Sequence, residues 1–274
     1  WENGGLKETL EFAPSCWINL VEPTTTELER VLTFSQVPRD FLTDPLDSEE
    51  RPRFDYDDDS SMLIIHVPCP LEDDEVVPYR TVPLGIILFG RSVITVCSAR
   101  TPVTTAFLDP IRRVCPPSDQ YRFAFRLLWH GGVLFLRYLQ DVHQRTLALE
   151  EELHRSISNE VLLKLLTIEK TFVYFTTSLK ADTIALARAN TARQLAHNHN
   201  IKAVFNDVGA QRAFVLERGI KLCGAKICEK IHSGANAEKS LFGAKVTGES
   251  IPFRSADRAE KHAIRGKTTL YGFS

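Results

Sequence analysis

Apolar positions along this chain recur with two different periods. Residues 16–23, CWINLVEP, form a short, mostly apolar run that predicts a strand. TTTELERVLTFSQV follows, with Leu28, Val31 and Leu32 on one helical face. Thr24 or Thr25 can cap this helix, and Glu27 falls in its first turn. PRDFLTDPL is a second short helical piece, stopped near Pro45 because a proline disfavours helical geometry in the residue before it. From residue 51 the period shortens to two. RPRFDYDDDSSMLIIHVP predicts two strands around a turn at Asp58, Asp59 and Ser60, short polar residues that bond to nearby backbone in turns. After a second acidic turn, EDDE at 72–75, one strand ends near Leu88 and another covers 92–98. Gly90-Arg91 between them suits a tight hairpin. Residues 51–99 therefore read as a mostly antiparallel meander.

The period then lengthens again. TPVTTAFLDPIRRV starts a helix that prolines 116 and 117 close. Beyond them, Phe123, Leu127, Leu128, Leu134, Leu136, Leu139 and Val142 trace a long helical stripe interrupted by Gly131-Gly132, where the helix either packs closely or bends. VLLKLLTIEKTFVYFTTSLK, residues 161–180, continues with a stripe through Leu162, Leu165, Leu166, Glu169, Phe172, Val173 and Thr176. This predicts two long helices, an antiparallel pair joined around residues 156–159, packed on the preceding sheet. The expected organisation is a sheet portion at 1–115, long helices at 116–187 and a basic tail at 188–274, helical in part.

Charge sharpens this division. Residues 1–187 carry 18 Lys+Arg against 28 Asp+Glu, and residues 188–274 carry 15 against 7. The near-neutral total of -2 therefore joins an acidic body to a basic tail. The tail's charges are scattered, which favours a solvated face or an acidic partner surface over nucleic acid. Cysteines 16, 69, 97, 115, 223 and 228 have no disulfide or zinc-site spacing and read as ordinary thiols of a reducing compartment. No run of about 18 apolar residues occurs, so the chain as given is expected to be soluble. Neither GxGxxG nor GxxxxGK is present, and Ser178, with the threonines at 176 and 177, has no ordered His/Asp set in sequence. The expectation is that this is not an enzyme. His66 reads as a sheet-face histidine.

WINLVEPTTTELERV, RPRFDYDDDSSMLIIHVP, TVPLGIILFGRSVITVCS and NEVLLKLLTIEKTFVYFTTSLKAD together resemble, in this order, the cytoplasmic domain of CorA-type magnesium transporters. The resemblance covers about residues 12–187. It implies an α/β (α+β) fold, an α/β/α sandwich with a mostly antiparallel or mixed sheet followed by long helices. It also implies a cytoplasmic regulatory domain of a homopentameric divalent-cation channel at the cell inner membrane. Such a domain would sense Mg2+, with Zn2+ or Co2+ as alternatives, and signal to a pore formed by transmembrane helices and a Gly-Met-Asn motif. Neither of these last features occurs in this chain, and the basic, glycine-interrupted tail departs from the family's stalk.

Hard cations take oxygen ligands, and a hydrated Mg2+ is often held through one or two carboxylates. The resemblance places a regulatory intersubunit carboxylate in the 72–75 hairpin loop, where Asp73 and Asp74 are the candidates. Asp58 and Asp59, with Asp57, form a second acidic cluster that a divalent ion would relieve of repulsion. Both clusters also fit plain solvated turns. The other reading of the whole chain is a soluble helical scaffold that self-associates and transports nothing.

Overall fold

The computed structural model describes residues 7–9, 11–71, 78–106, 116–155, 158–191 and 267–272. Its centre is a seven-stranded sheet in the order β1-β7-β2-β6-β5-β4-β3. The strands are β1 (Lys7–Thr9), β2 (Trp17–Val21), β3 (Arg53–Asp57), β4 (Ser60–Pro70), β5 (Tyr79–Phe89), β6 (Ser92–Cys97) and β7 (Lys267–Gly272). β3 to β6 form the antiparallel meander read from the sequence, and Gly90 turns β5 into β6 with a φ of 51°. β2 joins β6 in parallel, Asn19 opposite Thr95, which makes the sheet mixed.

Period-two alternation divides the sheet's side chains between two layers. Ile18, Leu20, Met62, Ile64, Ile87, Ile94 and Val96 meet α1 (Thr25–Ser35) and α2 (Arg39–Thr43) through Leu28, Val31, Phe41 and Leu42. A single 3-10 turn, Asp44–Leu46, follows α2. On the other face, Trp17, Leu63, Ile65, Leu84, Ile86 and Val93 pack on Phe123, Leu127 and Leu128 of α4 (Gln120–Arg155) and on Ala185 and Leu186 of α5 (Asn159–Thr191). The result is the expected α/β/α sandwich. Of the two expected caps the structure uses Thr24, in a capping box where Thr24 Oγ1 accepts from the Glu27 N–H and Glu27 accepts from the Thr24 N–H at 2.8 Å. α3 (Pro102–Thr105) is one turn, capped by Thr101.

α4 runs through Gly131-Gly132 without a break, and both glycines are buried. It packs antiparallel to α5, with Phe135 edge-on to Phe175 at 5.1 Å. α5 corrects the sequence reading. Its inward residues are Val161, Leu165, Ile168, Phe172, Phe175, Leu179 and Leu186, whereas Leu166 is 43% and Val173 56% exposed. Apolar residues surround this helix, so periodicity alone does not choose its buried face.

β7 was not anticipated. Six residues from the stretch 243–274, where the sequence assigned no element, insert between β1 and β2. Residues 192–266 of the basic tail lie outside the described residues.

Candidate functional site

The two acidic clusters fare differently. Asp73 and Asp74 lie outside the described residues, although the base of their loop is defined by the Leu71 N–H donating to the Pro78 carbonyl at 3.1 Å. Asp57, Asp58 and Asp59 sit exposed on the β3–β4 turn, where Asp58 takes a left-handed φ of 36° and Ser60 donates to the Asp57 carbonyl. Among the described residues, no three His, Cys, Asp or Glu side chains converge in a way that would hold a metal ion.

Other carboxylates gather around Arg53. Its guanidinium donates to Asp55 at 2.5 Å, to Asp44 at 2.6 Å and to Glu50. Burial disfavours the charge of Arg53, but the Asp55 hydrogen bond and the charges of Glu50 and Asp55 outweigh it and raise its pKa. These partners tie the start of β3 to the turn after α2. Arg53, Asp44 and Asp55 form one wall of an open cleft of about 370 Å³, also lined by Asp40, Asp57, Phe41 and Tyr56. The carboxylates on Arg53 are already engaged, and the remainder face solvent.

A second set of polar groups joins the sheet to the long helices. Among the described strands, β3 pairs with β4 only as far as Arg53 opposite Ile64, and none pairs with that edge of β4 beyond this point. α5 takes its place. The fully buried Asp182 carboxylate accepts the His66 backbone N–H at 2.7 Å. His66 Nε2 lies 2.9 Å from the Glu50 carbonyl, which can only accept, so Nε2 carries the proton. Nδ1 lies 3.1 Å from Ser178 Oγ, which is 2.8 Å from Thr81 Oγ1 on β5. One helix face thus reaches both strands of the β4–β5 hairpin.

About two turns back along α5, Tyr79 at the start of β5 is held by both helices. Its hydroxyl donates to Asp141 on α4 at 2.7 Å, and Arg145 donates to the same carboxylate oxygen at 2.7 Å. Its ring stacks on Tyr138 at 4.4 Å and tilts against Phe175. Its carbonyl accepts from Thr171 of α5. Burial, and then the Asp141 carboxylate, push the Tyr79 pKa well above that of an ordinary phenol.

The structure brings His66 to Ser178, which the sequence left without a partner. This is not a nucleophile set. Asp182 takes the His66 backbone amide rather than its ring, Nε2 faces a carbonyl, and Ser178 is 3% exposed. The groups fasten α5 to the sheet. Thr171, Ser178 and Asp182 are spaced seven and four apart, and that polar stripe among buried positions was the one signal in the sequence that could have pointed to them. His66 carries no comparable signal, because a strand edge left open by a short neighbour is a property of the assembled sheet.

A family model described as CorA-like Mg2+ transporter protein matches residues 13–218. The cobalt/magnesium transport protein CorA of Methanocaldococcus jannaschii is 26% identical over 179 residues, covering 61% of this chain and 52% of that protein. The chain thus spans about half the length of this curated relative. The soluble domain of CorA from the same organism superposes with a TM-score of 0.70 at 20% identity, covering 79% of this chain and 86% of that one. The complete CorA magnesium transporter from that organism gives 0.71 at 20% identity, over 85% of this chain and 74% of that one. The ZntB cytoplasmic domain from Vibrio parahaemolyticus gives 0.62 at 13% identity, covering 82% and 90%. At these identities the structural likeness is one of fold. Among the described residues, no helix is long and apolar enough to cross a membrane.

Proposed function

This chain belongs to the family of CorA-like Mg2+ transporter proteins, and from that premise we propose that it is the regulatory, non-pore part of a divalent-cation channel. Mg2+ is the cation it senses, with Zn2+ or Co2+ as alternatives. In the whole transporter it sits on the cytoplasmic face of the inner membrane as one of five copies, and transmembrane helices outside this chain form the pore. The likeness in fold to the soluble domain of CorA supports this placement.

The observation that carries the reading is the grip of both long helices on Tyr79. That residue follows directly on the loop of Asp73 and Asp74, whose base Leu71 and Pro78 close. A cation held at Asp73 and Asp74 between copies acts on a strand end that α4 and α5 already hold. α5 has 33 residues and spans about 50 Å. Bound through Thr171 to the start of β5 and, further along, through Ser178 and Asp182 to β5 and β4, it moves with the sheet as one body. Regulation then requires only that two arrangements of copies bind the cation with different affinity. Asp58 and Asp59, on their exposed turn, are the secondary candidates.

Titrating Mg2+ into the 274-residue chain while following light scattering and protease resistance tests this. The expected result is assembly and protection at millimolar Mg2+, lost in the Asp73→Asn, Asp74→Asn double variant. An absent response, or one that the double variant keeps, would refute it.

A further inference from the structure

β7 is flanked on both sides. On one side it pairs antiparallel with β2, from Trp17 opposite Tyr271 to Val21 opposite Lys267. On the other it pairs with β1, from Lys7 opposite Gly272 to Thr9 opposite Leu270. β6 fills the opposite edge of β2, and among the described strands β1 touches only β7. Both the outer ladder of β2 and the place of β1 in the sheet therefore depend on these six residues.

Without β7, β2 would present a row of unpaired N–H and C=O groups next to a fully buried Trp17, Ile18 and Leu20. Such an edge accepts an added strand through main-chain bonds. The register also shows which connection the pairing itself calls for. Gly272 lies opposite Lys7, so residues 273–274 followed by 1–6 would close the β7–β1 pair as a local hairpin. The actual covalent route to β7 runs instead from Thr191 through residues 192–266. Local hairpin closure is the common way neighbouring antiparallel strands are joined.

We propose that the outer edge of β2 is a strand-docking site and that segment 267–272, KTTLYG, is its separable occupant. The ladder register with β2 and β1 recognises the segment, and its attachment through 192–266 is not what places it. One consequence is that Thr191 in α5 and Lys267 in the sheet, the described residues on either side of the basic segment 192–266, are both held.

The test reorders the whole chain, moving residues 267–274 ahead of Trp1 and keeping every residue. The expected result is a melting temperature within about 2 °C of the parent and unchanged amide protection in β1 and β2. Loss of that protection in the reordered chain overturns the proposal. In the original order, Leu270→Pro removes one N–H from a strand bonded on both sides. Exchange at Glu8, Ile18 and Asn19 should accelerate at least about tenfold while α4 and α5 stay protected. A synthetic peptide of residues 266–274 should then restore protection. Unchanged exchange in the variant, or no rescue by the peptide, overturns the proposal. If Leu270→Pro unfolds α4 and α5 as well, the reordered chain decides the matter by the same readout.

Discussion

Asp182 offers the sharpest test of how α5 is fastened to the sheet. Asp182→Ala removes the carboxylate that accepts the His66 N–H at 2.7 Å, in a place with no solvent exposure. Among the described strands none covers this stretch of the β4 edge, because β3 stops pairing at Ile64. Leaving a buried N–H without its acceptor costs about 1–3 kcal/mol. For a domain of this size each kcal/mol shifts the melting temperature by about 2–4 °C, so Asp182→Ala should melt about 2–12 °C below the parent. Asp182→Asn keeps an oxygen acceptor of the same shape and should lose well under half as much. The assay is thermal and urea unfolding of both variants, with exchange of the His66 amide measured by NMR. If Ala and Asn variants melt together, or if the His66 amide stays protected in Asp182→Ala, this carboxylate does not seal the strand edge.

A contact on the opposite face gives a second prediction. A Cβ on Gly85 would lie 2.4 Å from Pro45 Cγ and 3.0 Å from its Cβ, and the proline ring cannot swing away. Gly85→Ala should cost about 1–3 kcal/mol in urea unfolding, and adding Pro45→Ala should recover part of it. An additive double variant would refute the contact. Alkaline pH supplies a third. Burial pushes the Cys97 thiol from 9.0 up to about 12, and Tyr79 is raised as well. The unfolded chain therefore releases these protons first, so their stabilisation is complete below about pH 8.5 and falls as pH rises above that. Urea midpoints should drop between pH 8.5 and 11, less steeply in Cys97→Ala. An equal slope in the variant would remove Cys97 as a cause.

Most of the strands and helices were legible because their signals are local. Thr24 and Glu27 lie three apart and cap α1 within one turn. Gly90 supplies the positive φ that turns β5 into β6, and Gln120 of α4 adds hydrogen bonds to the Phe89 and Ser92 carbonyls beside it. The short apolar run in MLIIHVP marks a strand, and the structure buries it on both faces. The four stretches that carried the family resemblance all fall within the matched residues 13–218. The candidate site was less legible. Asp58 and Asp59 could be placed on their turn from sequence, but the grip on Tyr79 joins residues 62 and 92 positions apart, and no local pattern encodes such a separation.

Composition and periodicity by themselves determined that this is a sheet followed by long helices, with an acidic body and a basic tail. They also placed the β3–β4 and β5–β6 turns and narrowed the cap of α1 to Thr24 or Thr25, because turn and cap chemistry act within a few bonds. Only the tertiary structure decided which face of α5 is buried, because that helix is apolar nearly all round and the sheet chooses among equivalent stripes. The same is true of the parallel pairing of β2 with β6, the sealing of β4 by Asp182, and the entry of KTTLYG between β1 and β2. Each is a backbone edge finding a distant partner. An unpaired N–H selects for an acceptor in space and leaves no periodic trace in the residues that supply it.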